Sequence, residues 1–128
     1  MSKTVDRYLY AIHALKKKYE CVRAVDVAHF LNLSKASVSI AVRQMREQGL
    51  LETEPDGNLL FTERGKSQSD HLGCRVHFFE HLLAAAGVEP SQALRDAISF
   101  SWEMSDASFE AFRTMYDDSM KASEQRQE

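Results

Sequence analysis

Cysteine and proline are scarce in this 128-residue chain, with two of each, and glycine is little commoner, with five. Cys21 and Cys74 form neither a CxxC pair nor a disulfide-rich pattern, so reduced thiols are the simplest reading. No apolar stretch approaches the roughly 18 residues of a membrane span, and the opening MSKTVDRY lacks a signal-peptide core. A soluble, cytoplasmic protein is expected. There is no phosphate-cradling glycine loop, no nucleophile elbow and no His-Glu-x-x-His helix, so no enzymatic role is expected. Internal repeats and low-complexity linkers are absent too.

What is there suffices for one core. Hydrophobic residues make up 44% of the chain, which at this length supports a single compact unit with a helical extension. The formal net charge of -3 argues against a generally basic nucleic-acid binder, but the charge is segregated. Residues 1–46 hold nine Lys or Arg against three Asp or Glu, whereas the remainder holds seven against sixteen. The amino-terminal part can therefore face phosphates while the acidic part points away.

Residues 22–46, VRAVDVAHFLNLSKASVSIAVRQMR, read as two short helices around a tight turn. The first, about Ala24 to Phe30, is expected to pack Val25 and Ala28 inward, with Leu31 and Leu33 closing the turn. Ser34 suits the N-cap of the second, and Val38, Ala41, Val42 and Met45 then recur at helical spacing as a buried stripe. The opposite face carries Lys35, Ser37, Ser39, Arg43, Gln44 and Arg46, with no acidic residue. Short side chains at its amino-terminal end let the backbone approach base edges. Hydroxyls and guanidinium groups serve bases or phosphates, as on a helix entering the major groove of DNA.

Gly49 can cap this helix, and Leu50 to Glu54, a turn at Pro55-Asp56-Gly57-Asn58, and Leu59 to Phe61 then read as a small hairpin. Helix, helix, helix and two-stranded wing is the order of a winged helix-turn-helix, far more specific than a helix pair alone. Ser34, Lys35, Ser37, Ser39, Arg43 and Gln44 are the expected contacts to double-stranded DNA. Asn58 is expected at the wing tip, with Lys16 to Lys18 near phosphates.

An opening helix over residues 5–18 puts Val5, Leu9, Ile12 and Leu15 on one stripe with Tyr8 beside it. After the wing, Thr62-Glu63-Arg64-Gly65 opens a long helix to about Ala86, stopped by Gly87, whose apolar face is Leu72, Val76, Phe79, Leu83 and Ala86. Pro90 starts a helix to about Trp102, and Ser105 suits the N-cap of a last one, where Phe109, Phe112 and Tyr116 repeat. From Lys121 onward, KASEQRQE is expected to fray. The fold class is mainly α with a small β-hairpin. A winged helix-turn-helix DNA-binding domain is expected over residues 1–66, a helical dimerisation region over 67–120 and a disordered tail over 121–128. Phe100, Trp102, Met104, Phe109, Phe112, Met115 and Tyr116 crowd the last third, more apolar surface than a small winged helix hides. A homodimer interface is the natural place for part of it, and two copies supply two reading helices for two half-sites.

This order resembles the diphtheria-toxin-repressor and manganese-transport-regulator family of metal-dependent transcriptional regulators, over approximately Asp6 to Tyr116. The matching stretches are Tyr8-Leu9 through Ile12 and Leu15, Val25-Asp26-Val27-Ala28, Ser37-Val38, Leu60 to Gly65, and Phe79 to Val88. The resemblance implies a homodimeric repressor that senses divalent manganese or iron and binds pseudo-palindromic operators near metal-uptake genes. It also implies that the helix from Glu63 and the two after it form the dimerisation region.

The sequence departs from that family where the metal would sit. The family's first-helix ligand positions read Arg7 and Tyr10, the long helix's histidine falls on Val76, and the later ligand segment reads Ile98-Ser99-Phe100-Ser101-Trp102-Glu103. A hard divalent ion needs several oxygen and nitrogen donors, and Arg7, Val76, Ile98 and Trp102 supply none. Arg7 is instead a candidate for replacing the ion's charge internally, by pairing with a carboxylate.

Two other ligand sets stay open. His77 and Glu103 each lie one place beyond a family ligand position, although one residue turns a side chain by about 100° around a helix. Asp70, Cys74, His77 and His81 stand on one stripe of the long helix, in donor types suited to zinc and, through the thiol, to oxidation. Against this, one straight helix seldom closes a tetrahedral site, and a solvent-facing polar row is the simpler reading. A divalent transition metal (Mn, Fe or Zn) therefore remains a candidate cofactor without an assigned site. The sequence favours a homodimeric DNA-binding regulator that lacks the family's standard metal site. A metal-responsive repressor with shifted ligands comes next, then a protein-interaction co-regulator on the same dimer fold.

Overall fold

Three short helices, each apolar on one side, meet a hairpin and bury that side. In the computed structural model, which describes residues 3–127, α1 (Lys3–Lys16), α2 (Ala24–Leu31) and α3 (Lys35–Glu47) precede two strands, β1 (Leu51–Thr53) and β2 (Leu59–Phe61). Three longer elements follow: α4 (Glu63–Ala85), α5 (Pro90–Glu103) and α6 (Asp106–Gln127). The strands pair antiparallel, with Leu51 opposite Phe61, Glu52 opposite Leu60 and Thr53 opposite Leu59. The chain forms two compact units, Met1–Cys74 and Arg75–Glu128, so the division falls inside α4.

The core of the first unit is built from Tyr8, Leu9 and Ile12 of α1, Val27 and Ala28 of α2, the α3 stripe, Leu50 and Leu51, Leu59 of the hairpin, and Leu72 of α4. Fully burying each large apolar side chain contributes about 1.5–3 kcal/mol, so this cluster is the main source of the unit's stability. On α2 the buried pair is Val27 and Ala28, not Val25 and Ala28, and Val25 is 42% exposed. Six of the eight residues of α2 are apolar, so spacing alone does not set the phase. Packing of Val27 and Ala28 into the core sets it instead. Asn32 adopts a left-handed conformation (φ 55), and Leu33 N–H reaches back to Ala28 O at 3.0 Å, closing α2 and reversing the chain.

Ser34 caps α3 as its position suggests, its hydroxyl oxygen accepting from Ser37 N–H at 3.1 Å. At the entry to α4, Thr62 Oγ1 accepts from Gly65 N–H (3.1 Å) and donates to Gly49 O (2.6 Å), while Thr62 N–H donates to Leu50 O (3.1 Å). The Thr62-to-Gly65 pattern is thus a joint that presses the first turn of α4 onto the backbone leading into β1.

In the second unit, Val76 and Phe79 of α4, Ala93, Ala97 and Ser101 of α5, and Phe109 of α6 are buried. Aromatic rings pack edge to face here, with Phe78 to Phe109 and Phe78 to Tyr116 both 5.6 Å between centroids. Ser105 caps α6 by accepting from Ser108 N–H at 3.2 Å. That helix continues through Lys121 to Gln127, where the sequence pointed to a frayed tail. Leu83 is only half-buried and Ala86 exposed, so the apolar face of α4 ends earlier than its spacing implies.

Candidate nucleic-acid interface

Helix α3 separates its two faces cleanly. Val38, Ala41, Val42 and Met45 are buried, while Lys35, Ser37, Ser39, Arg43, Gln44 and Arg46 are all exposed. Two further features of the exposed face were not read from the sequence. Glu47 closes the helix with one acidic group, and Ile40, 50% exposed, stands among the polar residues. Ser34 serves chiefly as a cap, since its hydroxyl also donates to Ser37 Oγ at 2.8 Å. Arg43, Arg46 and Glu47 share an open groove of about 650 Å³ with Leu51, Glu52 and Thr53 of β1, so helix and hairpin frame one surface.

Asn58 departs from the expected wing-tip contact. It is 8% exposed, and its Oδ1 accepts from Val22 N–H (2.9 Å) and Lys16 Nζ (2.9 Å) while its Nδ2 donates to Glu54 Oε1 (2.6 Å). Leu59 N–H donates to Val22 O at 2.8 Å, and Arg23 Nε to Asp56 O at 2.8 Å. The amide and these partners stitch the hairpin to the segment joining α1 and α2. Lys16 is therefore engaged within the fold, whereas Lys17 and Lys18 remain exposed.

The candidate metal donors do not converge. Asp70 lies 3.6 Å from His13 Nδ1 and 3.7 Å from Lys66 Nζ. Cys74, His77 and Glu103 are exposed, and His81 stands edge-on to the Tyr116 ring. Among the described residues, no three His, Cys, Asp or Glu side chains gather as a donor set. At the positions the family resemblance singles out, Tyr10 and Val76 are buried, Ile98 and Trp102 half-buried and Arg7 exposed. These residues do not fit a divalent ion.

His13 has its own consequence. Burial of the imidazole is the main reason its pKa lies below 6.5; Lys17 adds to the lowering, Asp70 opposes it and Lys66 adds a little more. The unfolded chain then takes up a proton at this side chain at a higher pH than the folded one does. Stability from this site is complete above about pH 6.5 and is lost as pH falls below it. A His13→Gln variant should show a smaller drop in Tm than wild type between about pH 7.5 and about pH 5.5. Thermal melts at the two values check this, and equal drops remove His13 as the cause.

The second unit does contain an internal cation, at Arg75 and not at Arg7. Arg75 is 4% exposed and is the only buried cation among the described residues. Its Nη1 donates to Ser101 O (2.7 Å) and Met104 O (2.8 Å), its Nη2 to Asp106 Oδ1 (2.9 Å), and its guanidinium lies 5.0 Å from the Phe109 ring centroid. The carbonyls at the end of a helix have no intrahelical donors and carry the negative end of the dipole. Arg75 supplies both donors and positive charge there, and Asp106 joins it from the first turn of α6. Only Nε is left buried without a partner.

A reading helix held by a tight turn, followed by a two-stranded wing, defines a winged-helix DNA-binding protein. Residues 1–59 match the family described as iron dependent repressor, N-terminal DNA binding domain. The transcriptional regulator MntR of Escherichia coli O6:H1 is 28% identical over 109 residues, which cover 85% of this chain and 70% of that protein. Among solved structures, T. acidophilum IdeR shares the fold with a TM-score of 0.75 at 16% identity, over 91% of this chain and 55% of that one. A manganese-dependent transcriptional repressor in complex with manganese gives 0.72 at 21% identity, over 84% and 51%. This chain thus spans about half the length of those two solved chains. The amino-terminal part of the chain is thus similar to the DNA-binding domain of the iron dependent repressors, and the longer match is to the transcriptional regulator MntR. No helix among the described residues is long and apolar enough to cross a membrane.

Proposed function

We propose that this chain is a cytoplasmic, homodimeric, sequence-specific repressor that binds its operator without a metal ion at the family's usual position. The observation that carries the reading is the exposed face of α3, where Lys35, Ser37, Ser39, Arg43 and Gln44 stand opposite a fully buried stripe. Arg43 and Gln44 have the donor geometry for guanine and adenine edges, and the short Ser37 and Ser39 let the helix sit deep. In the second unit, Phe100, Phe112, Met115 and Met120 are exposed, which supports a second copy as the surface that covers them. The dispersed donor types and the buried Arg75 support independence from metal.

Fluorescence anisotropy with a duplex carrying the region upstream of the protein's own coding sequence tests this. Affinity should fall linearly with the logarithm of salt concentration and stay the same with EDTA or added Mn²⁺. Arg43→Ala should weaken binding by about 1 to 3 kcal/mol, roughly fivefold to 150-fold. A requirement for Mn²⁺ would replace this reading with the metal-responsive one. Salt-independent or absent binding by an intact dimer would replace it with a protein-interaction role.

A further inference from the structure

We infer that Ile40 is a specificity-determining residue that reads the C5-methyl group of a thymine in each half-site. The inference deepens the groove-binding proposal and rests on it. At about 100° per residue, Ile40 points roughly 30° from the direction opposite the centre of the Val38, Ala41, Val42 and Met45 stripe. It is half exposed and takes no part in the core cluster. Its neighbours one turn away are Ala36 and Ser37 on one side and Arg43 and Gln44 on the other, all exposed. A branched apolar side chain therefore occupies the middle of the surface offered to a duplex.

On the major-groove edges of the four base pairs, the methyl of thymine is the one apolar group. Ile40 has no donor or acceptor. Against guanine or cytosine it would strip water from O6 or the N4 amino group without replacing the hydrogen bond, a penalty that selects against those bases. Against thymine it buries methyl on methyl and loses nothing. The short Ala36 and Ser37 allow the close approach that such a contact requires. The side chain thus adds an A·T requirement beside whichever bases Arg43 and Gln44 read.

The test begins with a randomised duplex pool enriched on the wild-type protein. Each thymine of the enriched duplex is then replaced singly by deoxyuridine, which deletes the methyl and leaves every hydrogen-bonding group in place. One position per half-site should weaken wild-type binding by about fourfold for each methyl removed, and that loss should vanish in Ile40→Ala. Ile40→Ala changes an exposed helical site to the best helix former, so the variant should fold, and circular dichroism checks that it does. If no deoxyuridine position matters, or if the loss persists in Ile40→Ala, the assignment falls while DNA binding stands. A pool that does not enrich at all overturns the groove-binding reading and the Ile40 assignment together.

Discussion

Gly65→Ala is expected to destabilise the first unit by about 3 kcal/mol, because an added methyl group meets backbone and has nowhere to turn. A Cβ there falls well inside contact distance of the Leu50 carbonyl oxygen and 2.9 Å from its carbon. A side chain could rotate away, but a carbonyl that already accepts from Thr62 N–H cannot. Relief requires lifting the first turn of α4 off the wing, which breaks the Thr62 bonds to Gly49 and Leu50. The same substitution at Gly49 meets open space and carries only the cost of a left-handed backbone at φ +77, about 1 kcal/mol. Denaturant unfolding followed through the near-ultraviolet signal of the buried Tyr8 and Tyr10 separates the two variants. Equal losses would show that the joint yields more readily than its geometry implies.

Arg75→Met should cost the second unit on the order of 3 kcal/mol while keeping most of the side-chain volume. Two helix-end carbonyls lose charged donors in a buried position, and each such bond contributes roughly 1.5–3 kcal/mol when the donor is charged. The ion pair is the smaller part. Asp106 is 81% exposed, so water screens its attraction to Arg75, and Asp106→Asn should cost less than about 1 kcal/mol. Trp102 is the chain's single tryptophan and lies in this unit, so its fluorescence reports this unfolding step directly. An Asp106→Asn loss equal to that of Arg75→Met would transfer the main role from the carbonyls to the ion pair.

The stripe of α3 was legible because its four apolar residues at 38, 41, 42 and 45 span about two turns and the mostly polar residues around them leave one phase only. The hairpin was legible from its turn residues, and the opening of α4 from Thr62 and Gly65. Where sequence failed, the deciding contact was distant along the chain or ran against residue type. Val25 and Val27 lie about 200° apart on an eight-residue helix, and only packing chooses which of them faces inward. Asn58 reads as an exposed turn residue, yet its partners Val22 and Lys16 lie 36 and 42 residues earlier. Arg75 carries no sequence signal of its role, because the carbonyls it serves belong to the end of another helix. Ile40 escapes a reading by periodicity, since an apolar residue on a polar face fits neither pattern.

The stitches from Asn58, Leu59 and Arg23 mean that the hairpin is no loose arm. It frames one open groove with α3, and these bonds hold the hairpin's side of that gap before any duplex arrives. A duplex whose rails already match that gap docks with little ordering of the protein. One that does not must itself bend or narrow, at an energy that depends on which base steps are being deformed. Under the proposed groove binding, part of the discrimination would then fall on base pairs that no side chain touches.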